Sequence, residues 1–300
     1  MTAVLGNVLE ALVKRTMTKI QDPSQHPLQR GFTKSVSPMY AAWIIQELYN
    51  EARDAHEPLY VAYLDAKAVF DTVWIKSLMR RLSQGGINGN LWAMINSLHE
   101  DATSQIQWAG HLTDTFAVHQ GVRQGGLIST VEYKRFIDPL LHLLQDANIG
   151  STIGIIPCCA PTCADDVTLA STSPAELQTL LNLAVSYSQT EIYQLQPAKC
   201  MVVPFNHSSD VPWTWQLLEE DLKIQPNTKH IGVHRSTSSN GAADTVKANI
   251  SKARRTLYSL MSSGMHSKSG MKSCFVPPYL GSVCPASVDI WSGIIQSEAG

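Results

Sequence analysis

Apolar residues recur at helical spacing in several stretches of the chain. In residues 5–20 they fall every three or four positions, which predicts an amphipathic helix. The same spacing predicts helices over residues 39–54 and over residues 74–82, where Gly85 supplies a stop signal. Residues 245–262 predict a further helix with Lys and Arg on its polar face. Helices are therefore expected near both ends of the chain.

Two more helices are predicted from the residues at their N-termini. Ser129 and Ser173 are each followed three positions later by Glu, which is the pattern of a capping box. Pro174 strengthens the second signal, because Pro is favoured at the first position of a helix. These two helices are expected to end near residues 145 and 187.

Shorter apolar runs bounded by turn residues predict strands. The clearest is PLYVAYLD (58–65), a compact run that predicts a buried strand ending at Asp65. Alternation on both sides of Gly110 predicts a hairpin over residues 104–119. Further strands are predicted at residues 153–156, 163–170, 200–205 and 229–233. The order of elements predicts an α+β body followed by a basic helix.

Composition is compatible with a folded core, and the charge is unevenly distributed. Of the 300 residues, 44% are hydrophobic and 16% are charged, and the formal net charge is −2. Residues 223–272 nevertheless carry nine Lys or Arg residues and one acidic residue, Asp244. This basic segment is either a solvated helix face or a surface that binds a phosphate backbone.

Several classes of protein are disfavoured by the sequence. No apolar run is long enough to span a bilayer, and the first twenty residues lack the apolar core and cleavage site of a signal peptide. We therefore expect a cytoplasmic or nuclear location, no secretion and no membrane partner. The six cysteines lack the paired spacing of a zinc site, so we expect reduced thiols packed in strands, although a partial metal site at residues 158–163 remains an alternative.

Three aspartates are placed where strands end. Asp65 closes the predicted buried strand, and Asp165 and Asp166 lie at the bend between two short strands. Three carboxylates that converge would repel one another unless a cation joined them. Oxygen ligands of this kind suit Mg²⁺, and a pair of such ions supports phosphoryl or nucleotidyl transfer. From these residues alone a metal site is one option among several, and an Asp-Asp pair in a turn is usually only a turn.

Three motifs in a fixed order point to one family. YLDAKAVFD (63–71), HQGVRQGGLIS (119–129) and CADD (163–166) together resemble reverse transcriptases, and most closely those of non-LTR (LINE-type) retrotransposons. The resemblance implies that Asp65, Asp165 and Asp166 are catalytic and bind two Mg²⁺ ions, with Mn²⁺ as an alternative. It also assigns residues of the substrate pocket. Phe70 would lie under the sugar of the incoming nucleotide, and Gln124 and Gly125 would shape the nucleotide and template pocket.

Weaker likenesses flank these motifs. LQRGFTKS (28–35) resembles a fingers segment in which Arg30 and Lys34 would contact the triphosphate. LQPAKCMVVP (195–204) resembles the motif whose lysine protonates pyrophosphate, which here is Lys199, and HIGV (230–233) resembles a primer-grip hairpin. The basic helix resembles a thumb whose cations would contact template–primer phosphates. These are Lys247, Lys252, Arg254 and Arg255.

The resemblance implies a right-hand polymerase core truncated at both ends. We expect partial fingers in residues 1–56, a palm with an antiparallel sheet in residues 57–235 and a partial basic helical thumb in residues 236–272. Residues 273–300 form a divergent tail, for which disorder is one option. Cys163 stands where the family usually has an aromatic residue.

The expected activity is RNA-directed DNA synthesis. The primer 3′-hydroxyl would attack a dNTP, so the partners are an RNA template, a DNA primer and dNTP; no protein partner can be inferred. One alternative is a catalytically inactive retroelement remnant that only binds nucleic acid. Another is a different two-metal phosphotransferase, against which the ordered Gln-Gly motif argues.

Overall fold

The computed structural model describes residues 4–33, 35–206, 213–237 and 242–262. The chain divides into two compact units, Met1–Asn240 and Gly241–Gly300. Within the second unit, the described residues form one helix. The tail at residues 273–300 lies outside the described residues, and the division of the body into fingers and palm stays a prediction.

The helices and strands are as follows. The helices are α1 (Val4–Gln21), α2 (Met39–Asp54), α3 (Ile75–Gln84), α4 (Gly89–His99), α5 (Ser129–Asp146), α6 (Pro174–Glu191) and α7 (Ala242–Ser262), with a short 3-10 helix at Asp22–Ser24. The strands are β1 (Leu59–Leu64), β2 (Thr103–Ser104), β3 (Gln107–Trp108), β4 (His111–Leu112), β5 (Phe116–Ala117), β6 (Thr152–Ile153), β7 (Ile156–Pro157), β8 (Thr162–Cys163), β9 (Asp166–Ser171), β10 (Met201–Phe205), β11 (Gln216–Leu217), β12 (Glu220–Asp221), β13 (Lys223–Ile224), β14 (Asn227–His230) and β15 (Val233–Ser236).

A five-stranded sheet organises the body. Its strand order is β13-β10-β1-β9-β8, and all neighbours are antiparallel except β10 and β13. Strand β1 is central, and all six of its residues are buried. Its sequence shows no polar alternation because both faces of the sheet are covered. The sheet therefore fixes the end of β1 firmly in place.

Side chains of β1 alternate between two hydrophobic clusters. Tyr60, Ala62 and Leu64 pack into the larger cluster with α5 and α6, whereas Val61 and Tyr63 pack into the smaller cluster with α2. A fully buried aliphatic side chain of this kind contributes about 2 kcal/mol to the free energy of folding. Two cores thus clamp one strand, and its C-terminal end is positioned from both sides.

A buried carboxylate links α3 to the end of α6. Glu191 has no exposed side-chain surface, and its Oε1 accepts a hydrogen bond from Arg80 at 2.8 Å and pairs with Arg81. The Arg81 guanidinium also lies over the ring of Tyr187 at 5.7 Å. Removing one partner from a buried ion pair leaves an uncompensated charge, so this contact fixes the packing of the two helices.

Most predicted elements are present. The helices expected at 5–20, 39–54, 74–82 and 245–262 and the strand ending at Asp65 are confirmed within a few residues. The hairpin about Gly110 is also confirmed, as β2–β5 and β3–β4 pairs.

Some local predictions are wrong, and the helix α4 was not predicted. The strand predicted at residues 229–233 is instead the turn region of the β14–β15 hairpin. Ser129 does not cap α5, because its hydroxyl donates to Arg123 O at 2.7 Å and Ile128 occupies the N-cap position. Residues 153–156 are not one strand but the centre of the β6–β7 hairpin, with Gly154 in its turn at a φ of 55°. Ser173, in contrast, does cap α6, since its Oγ accepts from Glu176 N at 3.4 Å.

Candidate active site

The sheet brings the three aspartates to one edge. Leu64, the last residue of β1, pairs with Val167 of β9. Asp65 follows Leu64 and Asp166 precedes Val167, so the antiparallel register places these two acids opposite one another. Asp165 lies in the turn that joins β8 to β9. The prediction that the Asp pair lies at a bend between strands is confirmed.

The electrostatics of this edge show that the carboxylates act on one another. Asp165 and Asp166 are both exposed to solvent. Nearby protein atoms still desolvate both carboxyls and raise their pKa values above the ordinary range. The charge of Asp65 raises the pKa of both further, and the charge of Asp165 also raises that of Asp166. Ionised together, the three groups destabilise one another, and a cation would relieve that repulsion.

The segment before β10 supplies a cation to this edge. Lys199 Nζ lies 3.5 Å from Asp65 Oδ2, and the lysine side chain is 65% exposed. Backbone bonds bring the segment there: Gln196 N donates to Asp65 O at 2.9 Å, and Lys67 N donates to Gln194 O at 2.8 Å. The predicted catalytic lysine and the predicted metal-binding aspartate are therefore neighbours.

Cys200 contributes to the site in a way that the sequence did not reveal. Its thiol is buried, accepts a hydrogen bond from Asp65 N at 3.2 Å and donates to Asp65 O at 3.7 Å. Burial raises the pKa of this thiol, which keeps it neutral. Cys200 thus holds the backbone of Asp65, as one of the packed thiols expected from the sequence.

The donor set fits a divalent cation in its chemistry. All three groups are carboxylates, and the buried atom Asp65 Oδ2 has the Lys199 ammonium at 3.5 Å but no hydrogen-bond partner among the described residues. Within the described ranges, however, no group of three or more His, Cys, Asp or Glu side chains is arranged to hold a metal ion. The backbone positions suit such a site, whereas the side chains as they stand do not enclose one.

Aromatic rings border the aspartates. The ring centroid of Phe70 lies 5.0 Å from that of Tyr133 and 6.2 Å from that of Phe32. Tyr133 is buried, and burial raises the pKa of its hydroxyl well above the ordinary value. The charges of Tyr193 and Asp165 raise it further. Tyr133 is thus close enough to Asp165 for the charge of the carboxylate to act on it, and Phe70 packs against Tyr133. The sequence analysis did not single out Tyr133.

The residues of the second motif lie against the first. Gln124 Nε2 donates to both carboxylate oxygens of Asp71, at 2.8 and 2.9 Å. Gly121 has a φ of 93°, and a Cβ there would lie 2.7 Å from Asp71 O. Gly125 has a φ of 78° with open space around it. Glycine is thus required at residue 121, where a Cβ would overlap the backbone, and is favoured at residue 125 by conformation.

Glu10 of α1 holds the loop that carries Arg123 and leads into α5. It is almost fully buried, forms an ion pair with Arg123 and accepts a hydrogen bond from Leu127 N at 2.7 Å. A carboxylate so close to the start of α5 also interacts favourably with the helix dipole. The polar face of α1 gave no hint of this role.

The remaining predicted site residues are Arg30, Lys34 and four cations of α7. Arg30 is half-buried, and its Nε has no hydrogen-bond partner among the described residues. Burial raises the pKa of the nearby Cys158 thiol, and the positive charge of Arg30 partly opposes that shift. Lys34 lies outside the described residues. The predicted phosphate-binding residues of α7 are all exposed. They are Lys247, Lys252, Arg254 and Arg255.

None of the described helices combines the length and the apolar character needed to cross a membrane.

A protein-family model described as reverse transcriptase (RNA-dependent DNA polymerase) matches residues 1–234.

Two curated relatives are retroelement proteins. The "Retrovirus-related Pol polyprotein from type-1 retrotransposable element R2" of Popillia japonica is 25% identical over 258 residues, which is 83% of this chain and 36% of that protein. The polyprotein from type-2 element R2DM of Drosophila melanogaster is 25% identical over 177 residues, covering 59% of this chain and 17% of that protein. The chain thus spans about a third or less of the length of these relatives.

Solved structures of telomerase share the fold. A Candida albicans telomerase in complex with a TWJ fragment of telomeric RNA has a TM-score of 0.56 at 14% identity, covering 78% of this chain and 38% of that one. A Candida tropicalis apo telomerase truncated from its C-terminal domain has a TM-score of 0.55 at 12% identity, covering 76% and 44%. The predicted α+β right-hand polymerase fold is confirmed. The chain belongs to the reverse transcriptase (RNA-dependent DNA polymerase) family, and its curated relatives are R2 elements of the non-LTR retrotransposons.

Proposed function

We propose that the chain is the catalytic core of an RNA-directed DNA polymerase, which transfers dNMP from a dNTP to the 3′-hydroxyl of a DNA primer on an RNA template. Membership of the family supports the reaction class. The observation that carries the proposal for these residues is the pairing of Leu64 with Val167, because it sets Asp65 opposite Asp166 with Asp165 in the adjoining turn.

The charge at this edge supports a requirement for divalent metal. Desolvation, and after it the negative charge of neighbouring aspartates, raises the pKa of Asp165 and Asp166, so bound cations would stabilise the ionised site. Two Mg²⁺ ions, when bound, would assist ionisation of the primer hydroxyl and neutralise charge on the triphosphate. Asp65, Asp165 and Asp166 are the residues that would hold them.

The neighbouring residues have separate roles in this proposal. Lys199 shares the edge with Asp65, and its ammonium would protonate the departing pyrophosphate. Phe70 would form the floor under the sugar of the dNTP. Gln124 and Gly125 would border the nucleotide and template. The Asp71 bond of Gln124 keeps its amide in a fixed orientation.

In this proposal the protein contacts the template–primer through charged side chains and phosphates, and not through the edges of the bases. The exposed cations of α7 would bind phosphates of the template–primer duplex, which gives affinity without sequence preference. Arg30 and Lys34 would contact the triphosphate of the incoming dNTP.

Primer extension tests the proposal. Purified chain is incubated with poly(rA)/oligo(dT) and dTTP, with and without Mg²⁺, beside the variant Asp165→Asn. We expect Mg²⁺-dependent extension that the substitution abolishes. The free energy of unfolding of the metal-free variant should be unchanged or higher, because a repelling charge is removed.

A binding measurement distinguishes the inactive alternative. Fluorescence anisotropy with labelled template–primer is recorded for the same preparations. Binding without extension under any divalent metal would identify a remnant that only binds nucleic acid. Equal extension by wild type and Asp165→Asn would exclude the assigned site.

A further inference from the structure

The segment that precedes α2 runs beside the edge strand of the sheet. Thr162 N donates to Leu28 O at 3.0 Å, and Arg30 N donates to Thr162 O at 2.8 Å. Gln29 and Thr162 form a parallel bridge. Residues 28–30 therefore extend the sheet by a single bridge next to β8, adjacent to the turn that carries Asp165.

The side chain of Gln29 reaches from this segment into the turn. Its Oε1 accepts from Ala164 N at 2.8 Å and from Gly31 N at 2.8 Å. Its Nε2 donates to Ala164 O at 3.2 Å. One amide thus bonds both the N–H and the C=O of the residue before Asp165. Gln29 is 1% exposed, so water cannot replace these bonds.

Ala164 needs such support because of its backbone conformation. Its φ is 60°, in the left-handed region where residues with a Cβ are disfavoured. Two-residue hairpin turns that need a positive φ usually have Gly, Asn or Asp there. Ala164 is buried and has no side-chain polar group that could stabilise the turn by itself.

Gly31 completes the cradle around the turn. A Cβ on Gly31 would lie 2.1 Å from Ala164 N and 2.6 Å from Ala164 Cα. No side chain could be placed there without moving the turn. The backbone of Gly31 and the side-chain amide of Gln29 are thus both packed directly against Ala164.

We propose that Gln29 is a positioning residue of the polymerase site, and that its side-chain amide holds the Ala164–Asp165 turn in the conformation that presents the Asp165 carboxylate to divalent metal. The role rests on the proposed function of Asp165. Gln29 itself touches neither substrate nor metal; it acts through the backbone of the turn.

The decisive variant is Gln29→Met, which keeps the length of the side chain and removes all three hydrogen bonds. Gln25→Met is the matched control. Gln25 lies in the same segment and donates to Gln29 O at 2.9 Å and to Thr33 Oγ1 at 3.1 Å, but its side-chain amide has no bond to the turn. Both variants are made in the full chain.

The first measurement is independent of catalysis. Amide hydrogen exchange is followed for the peptide that contains residues 160–170. Because it donates to Gln29 Oε1, Ala164 N–H should be protected in the wild type, and Gln29→Met should accelerate its exchange at least tenfold, whereas Gln25→Met should leave it within twofold. Unchanged exchange in Gln29→Met would overturn the proposal, whether or not the chain polymerises.

The second measurement is primer extension as a function of Mg²⁺ concentration. Gln29→Met should raise the Mg²⁺ concentration for half-maximal rate severalfold and lower kcat about tenfold, with the Kd for template–primer within twofold of wild type. Adding Ala164→Gly should restore part of the rate, because glycine adopts the positive φ without support. A purely structural role would not give this rescue.

The outcomes separate the two proposals. A folded wild-type chain without extension contradicts the proposed function, and the exchange measurement still tests the hold on the turn. Faster exchange with normal Mg²⁺ dependence means that the turn needs no positioning and overturns the inference. If Gln29→Met does not fold, Gln29→Asn replaces it. Failure of both to fold, while Gln25→Met folds, assigns Gln29 a structural role instead.

Discussion

Lys199 Nζ and Asp65 Oδ2 lie 3.5 Å apart at the end of the central strand. The lysine belongs to the segment before β10, and the aspartate follows β1. A predicted proton donor and a predicted metal ligand therefore lie close together at one edge of the sheet. Since the lysine side chain is mostly exposed, this ion pair contributes less than about 1 kcal/mol to stability.

Replacing Lys199 should therefore separate activity from stability. We expect Lys199→Met to slow extension on the order of 10²-fold, the lower end for losing a general acid, with an almost unchanged melting temperature. Rapid-quench kinetics and thermal melts measure the two effects. Lys223→Met is the control, because Lys223 donates to Ala198 O at 3.4 Å in the same region without reaching Asp65. Equal loss of rate in both variants would refute the assignment.

Phe70 is expected to discriminate between deoxyribose and ribose. A ring held against Tyr133 would fill the space that a 2′-hydroxyl needs. Phe70→Val should lower the ratio of kcat/KM for dTTP to that for UTP on one primer. It should also cost stability, with roughly 3–5 kcal/mol as an upper guide from full truncation to Ala. Phe116→Val, in the exposed hairpin, should leave the ratio unchanged. An unaltered ratio in an active Phe70 variant would make Phe70 an ordinary core residue.

The exposed cations of α7 should set the salt dependence of binding. Replacing Arg254 and Arg255 with Gln should reduce the slope of log affinity against log salt by about 2, since each lost phosphate contact releases about one fewer counterion. Anisotropy with an RNA–DNA hybrid across a salt series measures the slope. The matched double variant replaces Arg15 and Lys19 of α1 and should change it little. Equal slopes for all three proteins would mean that α7 presents only a solvated face.

His230 should make the fold sensitive to acid. Burial lowers its pKa to about 4, and the nearby charge of Arg235 contributes to the shift. Its Nε2 lies 3.3 Å from Thr168 Oγ1, and its ring lies 4.9 Å from that of Tyr63. The imidazole of His230 takes up a proton near pH 6.5 in the unfolded chain, but only near pH 4 in the folded chain. The contribution to stability is therefore full above pH 6.5 and is lost as the pH falls towards 4.

The size of that loss can be isolated by substitution. His230 should contribute roughly 3 kcal/mol of destabilisation between pH 6.5 and 4. Asp165 and Asp166 act in the opposite direction, because their raised pKa values favour the folded state in acid. Urea melts of wild type and His230→Gln at each pH therefore give the His230 contribution by difference. A constant difference across this range would contradict the buried neutral imidazole.

The sequence predicted the strand β1 and the place of Asp65 because a continuous apolar run has few alternatives to a buried strand. It missed α4 although Leu91, Ile95 and Leu98 recur at helical spacing, because the segment is short and Met94 and Leu98 remain exposed. The pattern at Ser129 was misleading because its hydroxyl donates to the Arg123 carbonyl in the preceding loop instead of capping the helix.

The supporting residues of the site could not be predicted at all. Gln29, Glu10 and Cys200 each act on a segment more than 100 positions away along the chain. A polar residue in a loop or on a helix face has the same local pattern whether it faces water or a distant turn. Only the folded sheet and the helices packed on it distinguish the two.

The central place of β1 has a consequence for how the molecule comes into being. Its partner strands β9 and β10 are far from it in sequence, and the contact between Asp65 and Cys200 spans 135 positions. Contacts of such long range are slow to form, because a large loop must close before they reward it. A chain still emerging from the ribosome cannot assemble this edge until β10 is available. Until then, the apolar β1 segment depends on chaperones or on collapse with its neighbours to avoid aggregation.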